Sequence, residues 1–268
     1  MRNIKILVFD SGQGGLPYFQ AIKTVLSSHN IAVTIDYLAD NAAFPYGTKT
    51  NQELQERFHY IASTLSQLED PYDLLIVACN TASLHGSSIF TQYISTKNVV
   101  FTTPTLALSS IENRTQEVFL LATSATCRFY NQDTTMGLIA ADPLVAWIEE
   151  HWDSSTEKIR LAYLESFWLH HLASIKNSFI ILGCTHFLHI KDHLERMHPE
   201  QNIQFIDTRD YVANETLNRV IAQKSHQSIS KKSTIGTLFL TSDNKHDREH
   251  YISIIGEYHL EFSTKKLI

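Results

Sequence analysis

Cysteine is scarce in this chain: Cys79, Cys127 and Cys184 are the three among 268 residues. An odd, small set at irregular spacing is not a disulfide framework, and free thiols fit a reducing, cytoplasmic setting. There is no Cys-x-x-Cys pair, so the common dithiol redox motif is excluded. Basic charge is also short: 22 Lys and Arg against 28 Asp and Glu leave a net charge of -6, and no electrostatic footprint points to nucleic acid. No stretch approaches the roughly 20 apolar residues of a membrane span. The N-terminus carries Arg2 and Lys5 before a short apolar run that stops at Asp10, too short for the core of a secretory signal. A dinucleotide fingerprint fails for want of a glycine: in Gly12-Gln13-Gly14-Gly15-Leu16-Pro17 the third glycine position holds Pro17, and Asp10 would repel a pyrophosphate. An aspartyl-phosphate site fails for want of a second acid, since Gly12 stands two residues after Asp10.

What is present is a regular alternation of short apolar runs and amphipathic stretches. Strands are expected at Ile4–Phe9, Val33–Ala39, Asp73–Cys79, Val99–Thr102, Val118–Ala122, Met136–Ala140, Phe179–Gly183, Ile203–Ile206, Thr237–Leu240 and Tyr258–Phe262, with helices between them. This order predicts an α/β fold: two similar doubly wound parallel-sheet lobes, pseudo-two-fold related, facing a central cleft. The division falls near residue 98, with 1–98 plus 208–268 as the first lobe and 99–207 as the second. One helix should bury Leu54, Phe58, Ile61, Ala62 and Leu65; another has Leu161, Leu164, Phe167 or Trp168, and Leu172 in phase. A helix is expected from Thr105 to Ile111 and another from Cys184 to about Met197, and Ser225–Ser233 reads as a polar loop.

Two stretches read alike: Leu74-Leu75-Ile76-Val77-Ala78-Cys79-Asn80-Thr81 and Phe179-Ile180-Ile181-Leu182-Gly183-Cys184-Thr185-His186. Each is a buried parallel strand ending in small polar residues, and ligands of open α/β sheets sit outside the carboxyl ends of the strands. A thiol there, at a helix N-terminus, has its thiolate stabilised. A single buried cysteine is commonly just a small hydrophobe, and Cys127 is read that way. Matching cysteines in two halves need another explanation. A cysteine hydrolase uses one nucleophile and a base; His186 could serve Cys184, but Cys79 would have no task. Zinc needs three or four ligands, and His186, His189 and His193, sharing one helix face, span too far to converge on one ion. Two acid-base groups on opposite faces of one carbon account for both thiols: one removes a proton, the other returns one, and the centre inverts. Removing a proton from carbon leaves a carbanion, and no lysine stands out as a Schiff-base former to delocalise it. The carbanion must then be held by hydrogen bonds in a dry pocket.

The segments Asp10-Ser11-Gly12, Pro45-Tyr46-Gly47, Ala78-Cys79-Asn80-Thr81-Ala82 and Gly183-Cys184-Thr185-His186, with Phe239-Leu240-Thr241-Ser242-Asp243 near the end, resemble the glutamate racemases of the aspartate/glutamate racemase superfamily. The resemblance covers most of the chain. It implies interconversion of L- and D-glutamate without cofactor or metal, a role in supplying D-glutamate for peptidoglycan, and a homodimer. It implies Cys79 and Cys184 as the acid-base pair, with Asp10 assisting the first thiol and His186 the second. Pro143-Leu144-Val145-Ala146-Trp147-Ile148-Glu149 matches a family helix whose glutamate belongs to the site, which gives Glu149, with Glu150 as the alternative. Implied substrate contacts are Asp10, Ser11, Pro45, Tyr46, Gly47, Asn80, Thr81, Thr185 and His186, with Thr123 and Thr126 from a threonine turn. The chain departs from the family at Ala122 (a glycine elsewhere), Phe129 (often serine) and Leu188 (often proline). The alternatives are a sister racemase for aspartate or another small acid, whose second motif is more often Gly-Cys-Thr-Glu, and a non-catalytic amino-acid-binding protein on the same scaffold, which needs neither thiol.

Overall fold

The computed structural model describes residues 3–109, 111, 115–224 and 234–268. In chain order the elements are β1 (Ile4–Asp10), α1 (Leu16–Ser28), β2 (Val33–Ala39), α2 (Asn51–Ser66), β3 (Leu74–Val77), α3 (Asn80–Tyr93) and β4 (Val99–Phe101). There follow α4 (Thr105–Leu108), β5 (Val118–Ala122), α5 (Ser124–Phe129), β6 (Gly137–Ala140), α6 (Asp142–His151), α7 (Glu157–His171), β7 (Ser178–Leu182), α8 (Lys191–Arg196) and β8 (Ile203–Ile206). The last are α9 (Arg209–Lys224), β9 (Gly236–Leu240), α10 (Lys245–Ile255) and β10 (Leu260–Phe262).

All strand pairs are parallel, in a six-stranded sheet of order β10-β9-β2-β1-β3-β4 and a four-stranded sheet of order β6-β5-β7-β8. The order β2-β1-β3-β4 recurs as β6-β5-β7-β8, so β5 corresponds to β1 and β7 to β3. In each sheet the winding direction reverses between the two central strands, which opens a crevice at their carboxyl ends. Asp10 and Cys79 stand at that point of the first sheet, and Thr123 and Cys184 at that of the second. The central strands read as continuous apolar runs because helices cover both faces: Ile6, Leu7, Val8 and Phe9 of β1 are all buried. One apolar cluster spans both lobes, joining Leu16 and Tyr18 of α1 to Ile148 of α6 and to Phe187 and Ile190 beyond β7.

Pairing of Val99–Phe101 with β3 puts β4 in the first sheet, not in the lobe that a boundary at residue 98 would give it. The apolar Val99 and Val100 are buried on that edge, and the chain crosses over only after them. α2 starts with a reciprocal capping box between Thr50 and Glu53 and buries Leu54, Phe58, Ile61, Ala62 and Leu65 as its periodicity demands. In α7, Leu164, Phe167 and Trp168 are buried, but Leu161 is 43% exposed, on the solvent side of the stripe. The helix expected over 105–111 is short, ending at Leu108. The expected Ser225–Ser233 loop lies outside the described residues.

Candidate active site

Cys79 is the extended residue that caps the N-terminus of α3, and its thiol donates to Ser11 Oγ at 4.0 Å. Cys184, also extended, lies with Sγ 3.7 Å from His186 Nδ1. Both are free thiols, each 6% exposed. They line one cavity of about 10 Å³ together with Ser11, Phe44, Tyr46, Asn80, Thr81 and Thr185. That is room for roughly one water molecule, so a substrate the size of an amino acid enters only when the walls part. Cysteines at equivalent strand ends of two lobes thus face a single narrow space.

Behind Cys184 runs a buried relay. His186 Nε2 donates to Glu149 Oε2 at 2.7 Å, and Tyr251 OH donates to Glu149 Oε1 at 2.7 Å. The Gln13 N–H straddles both oxygens, at 3.2 and 2.9 Å. Burial pushes the Glu149 carboxyl up, but the hydrogen bond and charge of His186, with Tyr251 and Gln13, outweigh it and hold Glu149 below its usual range. Burial alone would lower His186; its bonds to Cys184 and Glu149 instead carry it well above an ordinary histidine. Two glycines let the turn after β1 lie over this relay. A Cβ on Gly12 would come within 2.6 Å of Glu149 Oε2, and one on Gly14 within 2.5 Å of His186 Nδ1. Glu150, by contrast, is exposed, beside His151.

Behind Cys79 the arrangement differs. Asp10 is fully buried and accepts from the Gly12 N–H at 3.1 Å and from Ser11 Oγ at 3.4 Å. Burial raises its carboxyl to about 6, against the opposing pull of the His186 charge and the Gly12 N–H. Burial, then the Asp10 charge, push the Cys79 thiol well up. The thiolate stabilisation expected from a helix N-terminus is therefore outweighed at Cys79 by desolvation.

The raised Asp10 has a thermodynamic consequence. Its folded value of about 6 exceeds the ordinary 3.8, so the native state binds more protons between the two and stability falls as pH rises through that window. Above it, the ionised Asp10 costs about 3 kcal/mol. Asp10→Asn keeps an oxygen for the Gly12 N–H and removes the charge. The variant is expected to be the more stable protein by up to about 3 kcal/mol at neutral pH, a gap that closes below pH 4 in urea unfolding curves.

The expected site residues fall into two groups. Ser11, Pro45, Tyr46, Gly47, Cys79, Asn80, Thr81, Thr123, Cys184, Thr185 and His186 line the cavity, whereas Asp10, Glu149 and Thr126 support it from behind. Thr81, Thr123 and Thr126 join their hydroxyls at 3.1 to 3.2 Å, which ties the two lobes across the cavity floor. Tyr46 is held by its hydroxyl on Asp40, which also binds Arg57 and accepts from Thr241 Oγ1 at 2.7 Å. That contact explains why the Phe239–Asp243 segment belongs with the site motifs. Asn80 Nδ2 is buried with no partner among the described residues.

The histidine row is corrected. Thr185–His189 is a 3₁₀ turn, followed by the separate α8, so the three rings share no helix face. His186 turns to Glu149, His189 Nε2 donates to Gln13 O at 3.3 Å, and His193 pairs with Glu157 and meets the Trp152 ring edge-on. Among the described residues there is no group of three or more His, Cys, Asp or Glu able to hold a metal. Sequence reasoning missed Phe44, Val145 and Gly183 in the cavity wall, and Gln13 and Tyr251 behind it. Phe44, whose ring lies 5.5 Å from that of His186, could have been found as the apolar neighbour of Pro45; nothing local marks Tyr251. Ala122, Phe129 and Leu188 do not line the cavity. A larger cavity, about 970 Å³, lies elsewhere, between α1, α10 and the α6–α7 turn, with His189 in its wall.

No protein-family model matches the chain. Over 264 residues it is 30% identical to the glutamate racemase of Sulfurovum sp. (strain NBC37-1), covering 95% of each chain. Among solved structures, Escherichia coli glutamate racemase in complex with L-glutamate and the activator UDP-MurNAc-ala is similar at a TM-score of 0.77 and 25% identity, over 98% of this chain and 97% of that one. Glutamate racemase isoform RacE1 from Bacillus anthracis shares the fold at a TM-score of 0.77 and 21% identity, over 100% of this chain and 99% of that one.

Proposed function

The chain belongs to the glutamate racemase family of isomerases, and from that premise we propose that it interconverts L- and D-glutamate by a two-base mechanism, Cys184 acting on the L and Cys79 on the D enantiomer. The observation that carries this reading is the pair of free thiols at equivalent strand ends of two lobes, lining one cavity. From L-glutamate, the Cα–H bond breaks as its proton passes to Cys184, and the Cα carbanion then takes the Cys79 thiol proton from the opposite face. The product is D-glutamate, with Cys79 now the thiolate and ready for the reverse direction. The raised Cys79 thiol suits its part as the proton donor to L-derived carbanion.

Among the described residues no Lys or Arg lines the cavity, so the substrate carboxylates meet hydroxyls, amides and backbone N–H groups. The start of α3, the Asn80 amide and the threonine cluster supply them. The same groups hold the negative charge that develops on the substrate in the transition state. The D-glutamate formed serves peptidoglycan synthesis in the cytoplasm. Among the described residues no helix is long and apolar enough to cross a membrane.

The test is a racemisation assay on protein dialysed against a chelator and freed of pyridoxal. L-glutamate should lose its optical rotation completely, at an unchanged rate. Activity that disappears on dialysis and returns only with zinc or pyridoxal phosphate would overturn the two-thiol mechanism.

A further inference from the structure

The relay behind Cys184 ends on a residue that no motif marks. Tyr251 lies on α10, between β9 and β10 of the first sheet, while Glu149 lies on α6, between strands of the second lobe. The tyrosine is 1% exposed, and its hydroxyl reaches across the lobes to Glu149 Oε1 at 2.7 Å. We propose that Tyr251 is a positioning residue for the acid-base work of Cys184, fixing the Glu149 carboxylate so that its other oxygen stays on His186. The inference rests on the reading of Cys184 as an acid-base group.

The geometry leaves Glu149 little redundancy. Oε2 has His186 at 2.7 Å and the Gln13 N–H at 2.9 Å; among the described residues Oε1 has Tyr251 at 2.7 Å and otherwise only the longer 3.2 Å approach of Gln13. Without the phenol, one oxygen of a buried carboxylate loses its short bond and the group is free to turn away from His186. The titratable groups facing Glu149 are His186, His189, Asp10, Asp153, Tyr37 and Tyr251. Two of them are acids whose charge adds to that of Glu149, and Tyr37 OH is committed to Gly12 O at 2.7 Å. None of the others can replace the lost donor. A hydrogen bond to the ionised form favours ionisation, so loss of the Tyr251 donor must make Glu149 easier to protonate.

The experiment replaces Tyr251 with Phe, and separately with 3-fluorotyrosine, whose hydroxyl is the stronger donor. In Tyr251→Phe, the carboxyl carbon titration of Glu149 followed by NMR and the acid limb of kcat/KM should both move to higher pH by about one unit. kcat/KM at neutral pH should fall about tenfold, and equally in both directions because the enantiomers have equal free energy. Fluorotyrosine should move the Glu149 titration to lower pH. A folded Tyr251→Phe protein with the wild-type titration and acid limb, or a fluorotyrosine protein whose titration does not move downward, would overturn the proposal. If the wild-type protein fails to racemise glutamate, the functional reading falls by itself, and the Glu149 titrations still decide the role of Tyr251.

Discussion

Replacing Cys79 or Cys184 with serine should each stop net inversion of glutamate in both directions, by on the order of 10³-fold or more. Inversion needs a base on one face of Cα and an acid on the other, and serine is too weak as either at neutral pH. The neighbours cannot stand in: Ser11 lies at 4.0 Å from Cys79, and the His186 ring is engaged by Glu149 on its far nitrogen. The surviving thiol can still remove a proton and return it to the same face. Cys79→Ser should therefore exchange the α-hydrogen of L-glutamate with solvent but leave D-glutamate untouched, and Cys184→Ser should do the reverse. Deuterium uptake, measured for each enantiomer with each variant, checks this. A variant that racemises normally would show its cysteine to be structural.

Glu149→Gln should be the most destabilising conservative change in the site. Both Glu149 oxygens are surrounded by donors: His186 Nε2, Tyr251 OH and the Gln13 N–H. An amide nitrogen placed there meets a donor, and His186, 1% exposed, loses its counter-charge. Breaking one side of such a buried pair costs about 3–5 kcal/mol. The loss has a definite pH dependence. Glu149 is lowered on folding, so its contribution is present above its ordinary value of 4.5 and lost as pH falls through the folded value. His186 is raised, so its contribution is full below 6.5 and lost as pH rises through the folded value. Urea unfolding across this range should show the largest gap between wild type and variant at pH values between those limits, shrinking towards acid and alkali. A gap independent of pH would mean that the pair is not ionic. Racemisation should fall with it, since His186 then no longer holds its charge beside Cys184.

The sequence carried the site further than it carried the shape of the site. Cys79 and Cys184 stand out because apolar strands end on them, Thr185 because it shares the motif of Cys184, Asp10 because it ends β1, and Tyr46 because it sits in the Pro-Tyr-Gly motif of the loop after β2. These are local signals, and the local geometry follows them. What lay beyond reach depends on the third dimension. Tyr251 is far from Glu149 in sequence and reaches it only because α10 packs against the second lobe. The 3₁₀ turn after Cys184 looks helical by composition; within it His186 is turned inward to a buried carboxylate. The β4 misplacement has the same origin, since Val99 and Val100 suit either sheet and pairing with β3 decides. The thiol of Cys79 shows the limit of reasoning from a helix terminus, because burial and Asp10 outweigh it.

The central claim, one thiol on each face of the substrate carbon, is tested most directly by the wild-type protein in deuterium oxide at early turnover. Starting from L-glutamate, every D-glutamate formed should carry deuterium at Cα, because its proton comes from the Cys79 side, while the remaining L-glutamate stays largely protiated. Starting from D-glutamate, the pattern should mirror this. D-glutamate that retains the original protium would mean that a single group carries the proton from one face to the other, and would contradict the two-base account.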